Sequence, residues 1–157
     1  MLKVYGRTSS VNVQKAMWVI GELGLEYERM DVGGAFGQND QDWYLALNPM
    51  GRVPVLDDDG YILWESHSII RYLARKHDSG LYPSDPRACG DVEKWMDWQI
   101  GFQQPAITPA FWNLIRTAEA DRDMAAIRAS SAETAKLYAI VEQHLQGRDF
   151  MAGDQLS

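Results

Sequence analysis

Two short segments on either side of a predicted hairpin carry residues that could bind a small extended peptide. Arg52-Val53-Pro54-Val55 places a proline in an apolar, strand-like run, which predicts a sheet edge, a turn or a cis peptide bond. Asp57-Asp58-Asp59-Gly60 predicts the turn, and the returning strand leads into Glu65-Ser66 at the start of a helix. A free strand edge would pair with a peptide backbone, and a helix N-terminus would bind a carboxylate.

The first half of the chain predicts the α/β domain that positions these two segments. The hydrophobic pattern gives the order β-α-β-α-β-β-α, and the opening β-α-β predicts parallel strands joined by a right-handed crossover. Gly33-Gly34-Ala35-Phe36-Gly37 is too rich in glycine to predict packed structure. The predicted strands cover residues 2–5, 27–32, 53–56 and 61–64, and the predicted helices cover 12–23, about 40–47 and 66–77.

The second half of the chain predicts an all-helical domain. Residues 79–86 read as a linker by their content of glycine, serine and proline, which divides the chain into domains at 1–78 and 87–157. Beyond the linker the strand pattern disappears, and apolar residues such as Val92, Trp95 and Met96 recur at helical spacing. Pro105 and Pro109 are expected to interrupt or kink this helical region.

Composition and charge narrow the classes of partner. The chain has 157 residues, 46% of them hydrophobic and 24% charged, as in an ordinary globular protein. Its net charge of −7 argues against a nucleic-acid partner. No apolar run is long enough for a membrane span, and the strand predicted at the N-terminus argues against a signal peptide. The single Cys89 excludes a disulfide framework or a cysteine metal cluster, which favours the reducing cytoplasm.

Three segments of the chain together form a recognisable pattern: Ser9-Ser10-Val11-Asn12-Val13-Gln14-Lys15, Asn48-Pro49-Met50-Gly51-Arg52-Val53-Pro54-Val55-Leu56, and Glu65-Ser66-His67-Ser68-Ile69-Ile70-Arg71-Tyr72-Leu73. In this order and spacing they resemble the cytosolic glutathione S-transferases, most closely the bacterial, theta-like members that use a serine. The resemblance implies a thioredoxin-like N-terminal domain, a helical C-terminal domain and a homodimer. It also implies an enzyme of detoxification that conjugates the glutathione thiolate to small apolar electrophiles, with glutathione as co-substrate and no cofactor or metal.

The resemblance assigns the catalytic hydroxyl to Ser10, between the first strand and the first helix. The thiolate is the nucleophilic form of glutathione, and a hydroxyl hydrogen bond with a helix N-terminus would stabilise it. A plain helix cap is the alternative role for Ser10, because serine is favoured at that position. Ser9 is the main rival for the catalytic role, and Thr8 is a more distant one. Asn12 would either cap the helix or contact the sulfur.

The same resemblance assigns glutathione contacts to the two segments named first. Val53 would pair its backbone with the cysteinyl part of glutathione, and a cis Pro54 would shape the loop. Glu65 would pair with the glutathione ammonium, and Ser66 would bind the γ-glutamyl carboxylate. Arg52 would contact the glycyl carboxylate, although an exposed charge without a ligand is an equal alternative.

Arg7 and Phe36 are the candidates for a pocket that binds the second substrate. His67, His77 and His144 lack zinc-ligand spacing, so a surface or packing role is expected for each. Cys89 lies far along the chain from Ser10, which argues against the chemistry of the cysteine-using classes.

Two other functions stay open on the same scaffold. One is a glutathione-dependent peroxidase or disulfide reductase, and the other is a non-catalytic binding or assembly module. The last residues, Asp154-Gln155-Leu156-Ser157, resemble the start of a capping box without its helix. We therefore expect an exposed apolar face on the helical domain, either because the sequence is a fragment of a longer protein, which we favour, or because a partner covers that face.

Overall fold

The N-terminal part of the chain folds around a mixed four-stranded sheet in the order β2-β1-β3-β4. The computed structural model describes residues 1–77 and 80–157 and divides the chain into two units, Met1–Tyr82 and Pro83–Ser157. The predicted order of strands and helices is confirmed in the first unit. Its elements are β1 Leu2–Tyr5, α1 Val11–Glu22, β2 Tyr27–Met30, a 3₁₀ turn Gly34–Phe36, α2 Asp42–Leu45, β3 Val55–Asp58, β4 Tyr61–Trp64 and α3 Ser66–Lys76.

The strand directions follow from the connections. β1 and β2 pair in parallel through α1, as predicted, whereas β3 pairs antiparallel with both β1 and β4. The prediction of a strand over 53–56 is wrong by two residues. β3 begins only at Val55, because Pro54 has no N–H to donate and follows a cis peptide bond. Asp57 and Asp58 consequently lie in the strand rather than in the turn.

The hairpin turn is therefore shorter than predicted and consists of Asp59 and Gly60. Both residues have positive φ angles, 51° and 91°, which suits the twist of a two-residue hairpin. The Asp57 carboxylate accepts a hydrogen bond of 2.7 Å from the Gly60 amide and closes the turn. Smaller boundary errors occur elsewhere: β2 ends at Met30 rather than Val32, and α2 is shorter than the predicted helix.

Hydrophobic residues cover both faces of the sheet. On one face, α1 and α3 pack over β1 and β3, and the fully buried side chains there include Val4, Leu56 and Ile69. On the other face, Tyr44 of α2 packs with Val32 and Val55. Because successive strand residues face opposite sides, Val55 and Leu56 contribute to different clusters. Val53, which precedes β3, packs against both clusters.

The second unit is helical, as the sequence predicts. Asp85 caps α4 by accepting hydrogen bonds from two first-turn amides, and Pro86 is the first helical residue. Asp78 and Ser79, which mark the predicted end of the first domain and start of the linker, lie outside the described residues. The elements are α4 Pro86–Trp98, a π-helical segment Gln99–Gln103, α5 Gln104–Phe111, a second π-helical segment Trp112–Arg116, a 3₁₀ turn Glu119–Asp121 and α6 Met124–His144.

The two prolines disturb this helical region as expected. Pro105 lies just after the first π-helical segment, and Pro109 lies inside α5. The hydroxyl of Ser130, on α6, donates to the Ala106 carbonyl and accepts from the Ala110 amide. The buried hydroxyl therefore connects α6 to one turn of α5.

The second unit also exposes many apolar side chains in the described residues. They include Ile100, Phe102, Ile107, Phe111, Trp112, Leu114 and Ile115. Among the described helices, none is both long and apolar enough to cross a membrane. A search of residues 1–77 and 80–157 also found no group of three acidic, histidine or cysteine side chains that could hold a metal ion.

Candidate functional site

The loop between β1 and α1 is fixed by backbone hydrogen bonds to the end of β2. The Gly6 amide donates to the Met30 carbonyl at 2.8 Å, and the Arg7 amide donates to the Val32 carbonyl at 3.1 Å. The Arg29 guanidinium, which pairs with Asp31, also donates to the Gly6 carbonyl at 3.0 Å. The pKa of Arg29 is raised, chiefly by its hydrogen bond to Asp31. The loop that leads to α1 is therefore held at its start.

Ser10 occupies the N-cap position of α1, but its side chain does not cap the helix. Its backbone is extended, with φ −92° and ψ 121°, and its amide donates to the Arg7 carbonyl at 3.2 Å. No first-turn N–H donates to its side chain. The half-buried Ser10 hydroxyl therefore lies at the positive end of a twelve-residue helix and is available to a ligand. Thr8 and Ser9 are exposed, whereas Asn12 is half-buried in the first turn.

The Val53–Pro54 peptide bond is cis, so the structure selects one of the three geometries predicted for this proline. The Val53 side chain packs inward and contributes to both hydrophobic clusters. Gly6 and Gly33 lie close to it, since a Cβ atom on either would lie 3.3 or 3.4 Å from Val53 side-chain atoms. In the described part of the chain, no hydrogen bond engages the Val53 amide or carbonyl. The backbone of Val53 is thus an unpaired edge next to β3.

Buried polar side chains hold the residues before Val53. The Tyr44 hydroxyl and the Asn48 amide both donate to the Arg52 carbonyl, at 2.8 and 2.9 Å. The Asn39 amide donates to the preceding carbonyl, that of Gly51, at 2.9 Å. Gly51 has a φ of 59°, and a Cβ atom there would lie 2.8 Å from the Asn39 carbonyl oxygen. A larger residue at position 51 would therefore displace the loop.

Glu65 has a strained backbone at the start of α3. Its φ of 71° lies in a region that non-glycine residues rarely adopt, and such strain costs about 1–3 kcal/mol. The strain persists because β4 fixes one side of Glu65 and α3 fixes the other, through the bond from the Ile69 amide to the Glu65 carbonyl. The Glu65 side chain is exposed, while Ser66, the first residue of α3, is only 6% exposed. Strained residues of this kind cluster at functional sites.

Lys15, a half-buried cation on α1, lies close to the start of α3. The Lys15 ammonium, on α1, lies 3.1 Å from Nε2 of the buried His67. Burial lowers the pKa of Lys15, and the negative charge of Glu65 acts in the opposite direction. The burial of His67 agrees with the packing role expected for it. The negative Glu65 side chain is therefore positioned in the field of a cation on the neighbouring helix.

Arg7 lies across the backbone of Gly33 and Gly34. A Cβ atom on Gly33 would lie 2.9 Å from Nη1 of Arg7, and one on Gly34 would lie 2.8 Å from its Nε. The Gly33 amide also donates to the Gly37 carbonyl at 2.7 Å, and Gly33 is buried. The expectation that the glycine-rich segment is unpacked is therefore wrong at Gly33, because the absence of side chains is what lets Arg7 and Val53 approach.

The remaining candidates are more peripheral. Phe36 is 52% exposed in the 3₁₀ turn, and the exposed Arg52 side chain makes no hydrogen bond or ion pair within the described residues. Sequence reasoning missed Tyr44, and it named Asn48 only as part of a segment that resembles the family. The role of Asn48 could have been predicted. A polar side chain that is buried between the second helix and the Val-Pro segment has few possible hydrogen-bond partners other than the backbone.

The comparisons with known proteins agree with this geometry. A family model described as the glutathione S-transferase N-terminal domain matches residues 1–75. The chain is 39% identical to glutathione S-transferase GstB of Escherichia coli strain K12, over 99% of this chain and 76% of that protein. This chain belongs to the glutathione S-transferase family. As a glutathione S-transferase, it is a transferase enzyme, and the resemblance stated from the sequence is confirmed.

Two further relatives extend the similarity. This glutathione S-transferase is 33% identical to glutathione S-transferase 3 of Zea mays, over 99% of this chain and 72% of that protein. Among solved structures, it is similar to the theta class glutathione S-transferase from Xanthomonas axonopodis pv. citri with glutathione bound. The TM-score is 0.96 at 39% identity, over 99% of this chain and 75% of that one. The shared fold therefore extends through both units.

Proposed function

We propose that this transferase binds glutathione along the unpaired edge of Val53 and conjugates its thiolate to small apolar electrophiles. The Ser10 hydroxyl donates a hydrogen bond to the sulfur, and the thiol proton passes to solvent. The thiolate sulfur then forms a bond to an electrophilic carbon, and the leaving group departs with the electron pair of the bond that breaks. In an addition reaction the π bond of the electrophile breaks instead, and the atom that receives its electron pair takes a proton from water.

The backbone of Val53 supports the position proposed for the cysteinyl residue. Glutathione is an extended peptide, and its cysteinyl amide and carbonyl match the unpaired carbonyl and amide of Val53 in the described structure. β3 begins only at Val55, after the cis Val53–Pro54 bond, so the Val53 backbone lies outside the hydrogen-bonded ladder of the sheet. The relative from Xanthomonas axonopodis pv. citri, with glutathione bound, supports the choice of ligand.

The start of α3 supports the position proposed for the γ-glutamyl end. The first amides of this eleven-residue helix have no partners within the helix, and together with the Ser66 hydroxyl they suit a carboxylate. The exposed Glu65 carboxylate then pairs with the glutathione ammonium. The strained φ of Glu65 is consistent with a residue that is held for binding rather than for stability.

The observation that carries the proposal is the Ser10 hydroxyl, which lies at the N-cap of α1 without accepting a cap hydrogen bond. A serine whose purpose was capping would bond to a first-turn amide. Each pKa unit by which the bound thiol is lowered requires about 1.4 kcal/mol of preference for the thiolate. A hydroxyl donor supplies about 1.5–3 kcal/mol and a helix N-terminus about 0.3–1 kcal/mol, which together correspond to about one to three units.

Arg7 and Phe36 are proposed to border the second-substrate pocket, and Arg52 to contact the glycyl carboxylate. Cβ atoms on Gly6, next to Arg7, and on Gly33 would lie 3.3 and 3.4 Å from Val53 side-chain atoms, so both segments lie close to the site proposed for the cysteinyl group. Asn12, in the first turn of α1, is proposed to assist Ser10. By resemblance to the family we also propose a cytoplasmic homodimer with domains at 1–78 and 87–157, joined by a linker at 79–86.

A calorimetric titration with glutathione, followed by an assay with a small aryl halide, tests the proposal. We expect glutathione to bind and the halide to be released in proportion to the conjugate formed. Turnover of hydroperoxides or small disulfides without conjugation would replace the proposal with the peroxidase or reductase alternative. Absence of glutathione binding would contradict it entirely.

A further inference from the structure

The Arg52 carbonyl is the most heavily hydrogen-bonded group of the proposed glutathione-binding segment. It accepts from the Tyr44 hydroxyl at 2.8 Å and from the Asn48 amide at 2.9 Å. Both donors are immobilised, since Tyr44 is completely buried and Asn48 is 1% exposed. Two rigid donors on one carbonyl fix the direction of that carbonyl more firmly than solvent would.

The direction of this carbonyl sets the direction of the Val53 amide. Arg52 and Val53 share one planar peptide unit, which is trans, because the cis bond is the next one along the chain. In a trans unit the C=O and N–H bonds point in opposite directions. When Tyr44 and Asn48 draw the carbonyl inward, the Val53 N–H points away from them, and within the described residues it has no partner.

We infer that Tyr44 and Asn48 are positioning residues for glutathione recognition. They act through the Arg52–Val53 peptide and hold its N–H ready for the cysteinyl carbonyl of glutathione, so the inference rests on the proposed function. Without them the peptide unit would rotate freely between orientations, and glutathione would have to select the one that binds. Neither side chain touches glutathione in this account.

The surroundings keep both donors in the required state. Burial raises the pKa of the Tyr44 hydroxyl well above its ordinary value, so the hydroxyl stays protonated and remains a donor. The Asn48 side chain is oriented by a second bond, because its Oδ1 atom accepts from the Met50 amide at 3.0 Å. This second bond assigns Nδ2 to the Arg52 carbonyl.

The test compares two Tyr→Phe substitutions in the full chain. Tyr44→Phe removes one donor to the Arg52 carbonyl, while Tyr72→Phe removes a hydroxyl that donates to Asp58 at 2.6 Å, away from Arg52. Glutathione affinity is measured by calorimetry, and the pKa of the bound thiol is measured by ultraviolet absorbance. We expect Tyr44→Phe to weaken glutathione binding about fivefold, the usual value of one hydrogen bond, and Tyr72→Phe to leave it unchanged.

The pKa of the bound thiol distinguishes a loss of positioning at the Arg52–Val53 peptide from a wider disturbance of the binding site. The inference predicts the same thiol pKa in Tyr44→Phe as in the unaltered chain, because Ser10 rather than Tyr44 stabilises the thiolate. Asn48→Asp provides a second variant: it removes the donor to Arg52, keeps an acceptor for the Met50 amide, and should weaken binding by a similar or larger factor.

Four outcomes of these binding measurements are possible, and each either supports or overturns the positioning role of Tyr44 and Asn48. Weaker binding in Tyr44→Phe and Asn48→Asp, with unchanged binding in Tyr72→Phe, supports the inference. Equal affinities in the unaltered chain and Tyr44→Phe would overturn it and leave the proposed function standing. An equal loss in Tyr72→Phe would also overturn it, by showing that any lost hydroxyl has the same effect. Failure of the unaltered chain to bind glutathione would overturn the proposed function and this inference together.

Discussion

Replacing Ser10 by alanine separates its two possible roles, because they predict opposite results for stability and for chemistry. A serine that caps a helix loses about 1 kcal/mol of stability when it becomes alanine. For a chain of this length that loss lowers the melting temperature by about 2–4 °C. The Ser10 side chain accepts no bond from the first turn of α1, so we expect the loss to stay below about 0.5 kcal/mol.

The chemical effect of Ser10→Ala is expected to be larger than its effect on stability. A hydrogen bond from the hydroxyl to the thiolate is charge-assisted and contributes about 1.5–3 kcal/mol. Its removal raises the pKa of bound glutathione by about one unit or more, since each unit corresponds to about 1.4 kcal/mol. Once that pKa lies above the assay pH, the thiolate population and the conjugation rate fall by about tenfold per unit.

The assay combines thermal unfolding, calorimetric binding and ultraviolet titration of the bound thiol. Ser9→Ala is the matched control, because Ser9 is the neighbouring serine and is exposed. We expect Ser10→Ala to change only the thiol pKa and the rate, while Ser9→Ala changes neither. A lower melting temperature with an unchanged thiol pKa in Ser10→Ala would refute the catalytic role in favour of capping. A raised thiol pKa in Ser9→Ala alone would move the assignment by one residue.

Three other substitutions test the surroundings of the site. Gly34→Ala should displace Arg7, whose Cδ would lie 2.9 Å from the new Cβ, and should lower kcat/KM for the electrophile in a steady-state assay. Glu65→Gly should relieve the backbone strain at φ 71°, raising the free energy of unfolding by up to about 1 kcal/mol, while it weakens glutathione binding about threefold in calorimetry. Asp58→Asn should reduce the acid sensitivity of unfolding, since a hydrogen bond from Lys76 holds the pKa of Asp58 below its ordinary 3.8.

Each of these predictions has its own check. Gly24→Ala is the control for Gly34→Ala, because both glycines have a φ of 61° but nothing lies within 4 Å of a Cβ at position 24; equal kinetic effects would exclude a role for Arg7. Unchanged stability in Glu65→Gly would contradict the strain. A carboxyl whose pKa is lowered by folding stabilises the protein above its ordinary pKa and loses that effect at lower pH. The difference in the free energy of unfolding between the unaltered chain and Asp58→Asn should therefore shrink as the pH falls below 3.8. A difference that stays constant with pH would contradict the prediction.

The sequence predicted the architecture well because its periodicities are strong. The helices around Ile20 and Leu73 bury one apolar face each, and the strands are short apolar or alternating runs bounded by turn residues. The start of β3 was misplaced at Val53 because its composition is that of a strand. Val53 and Pro54 lie outside the ladder of the sheet, because the bond between them is cis and Pro54 has no N–H to donate.

The candidate site was predictable in part, for a different physical reason. Ser10, Val53 and Ser66 were found because a family resemblance points to them, and their local geometry is consistent with the roles proposed. The hydrogen bond from Tyr44 to the Arg52 carbonyl could not be predicted, because it depends on how α2 packs against the sheet. Arg7 lying over the glycines is likewise a tertiary contact that no local pattern encodes.

The measurement that tests the central claim most directly is an ultraviolet titration of glutathione bound to the unaltered chain, from acidic to alkaline pH. The account predicts a thiolate absorbance that appears at a pKa at least one unit below that of free glutathione, because the Ser10 hydroxyl and the N-terminus of α1 favour the anion. Binding of glutathione with the pKa of the free thiol would contradict the claim that this site activates the sulfur.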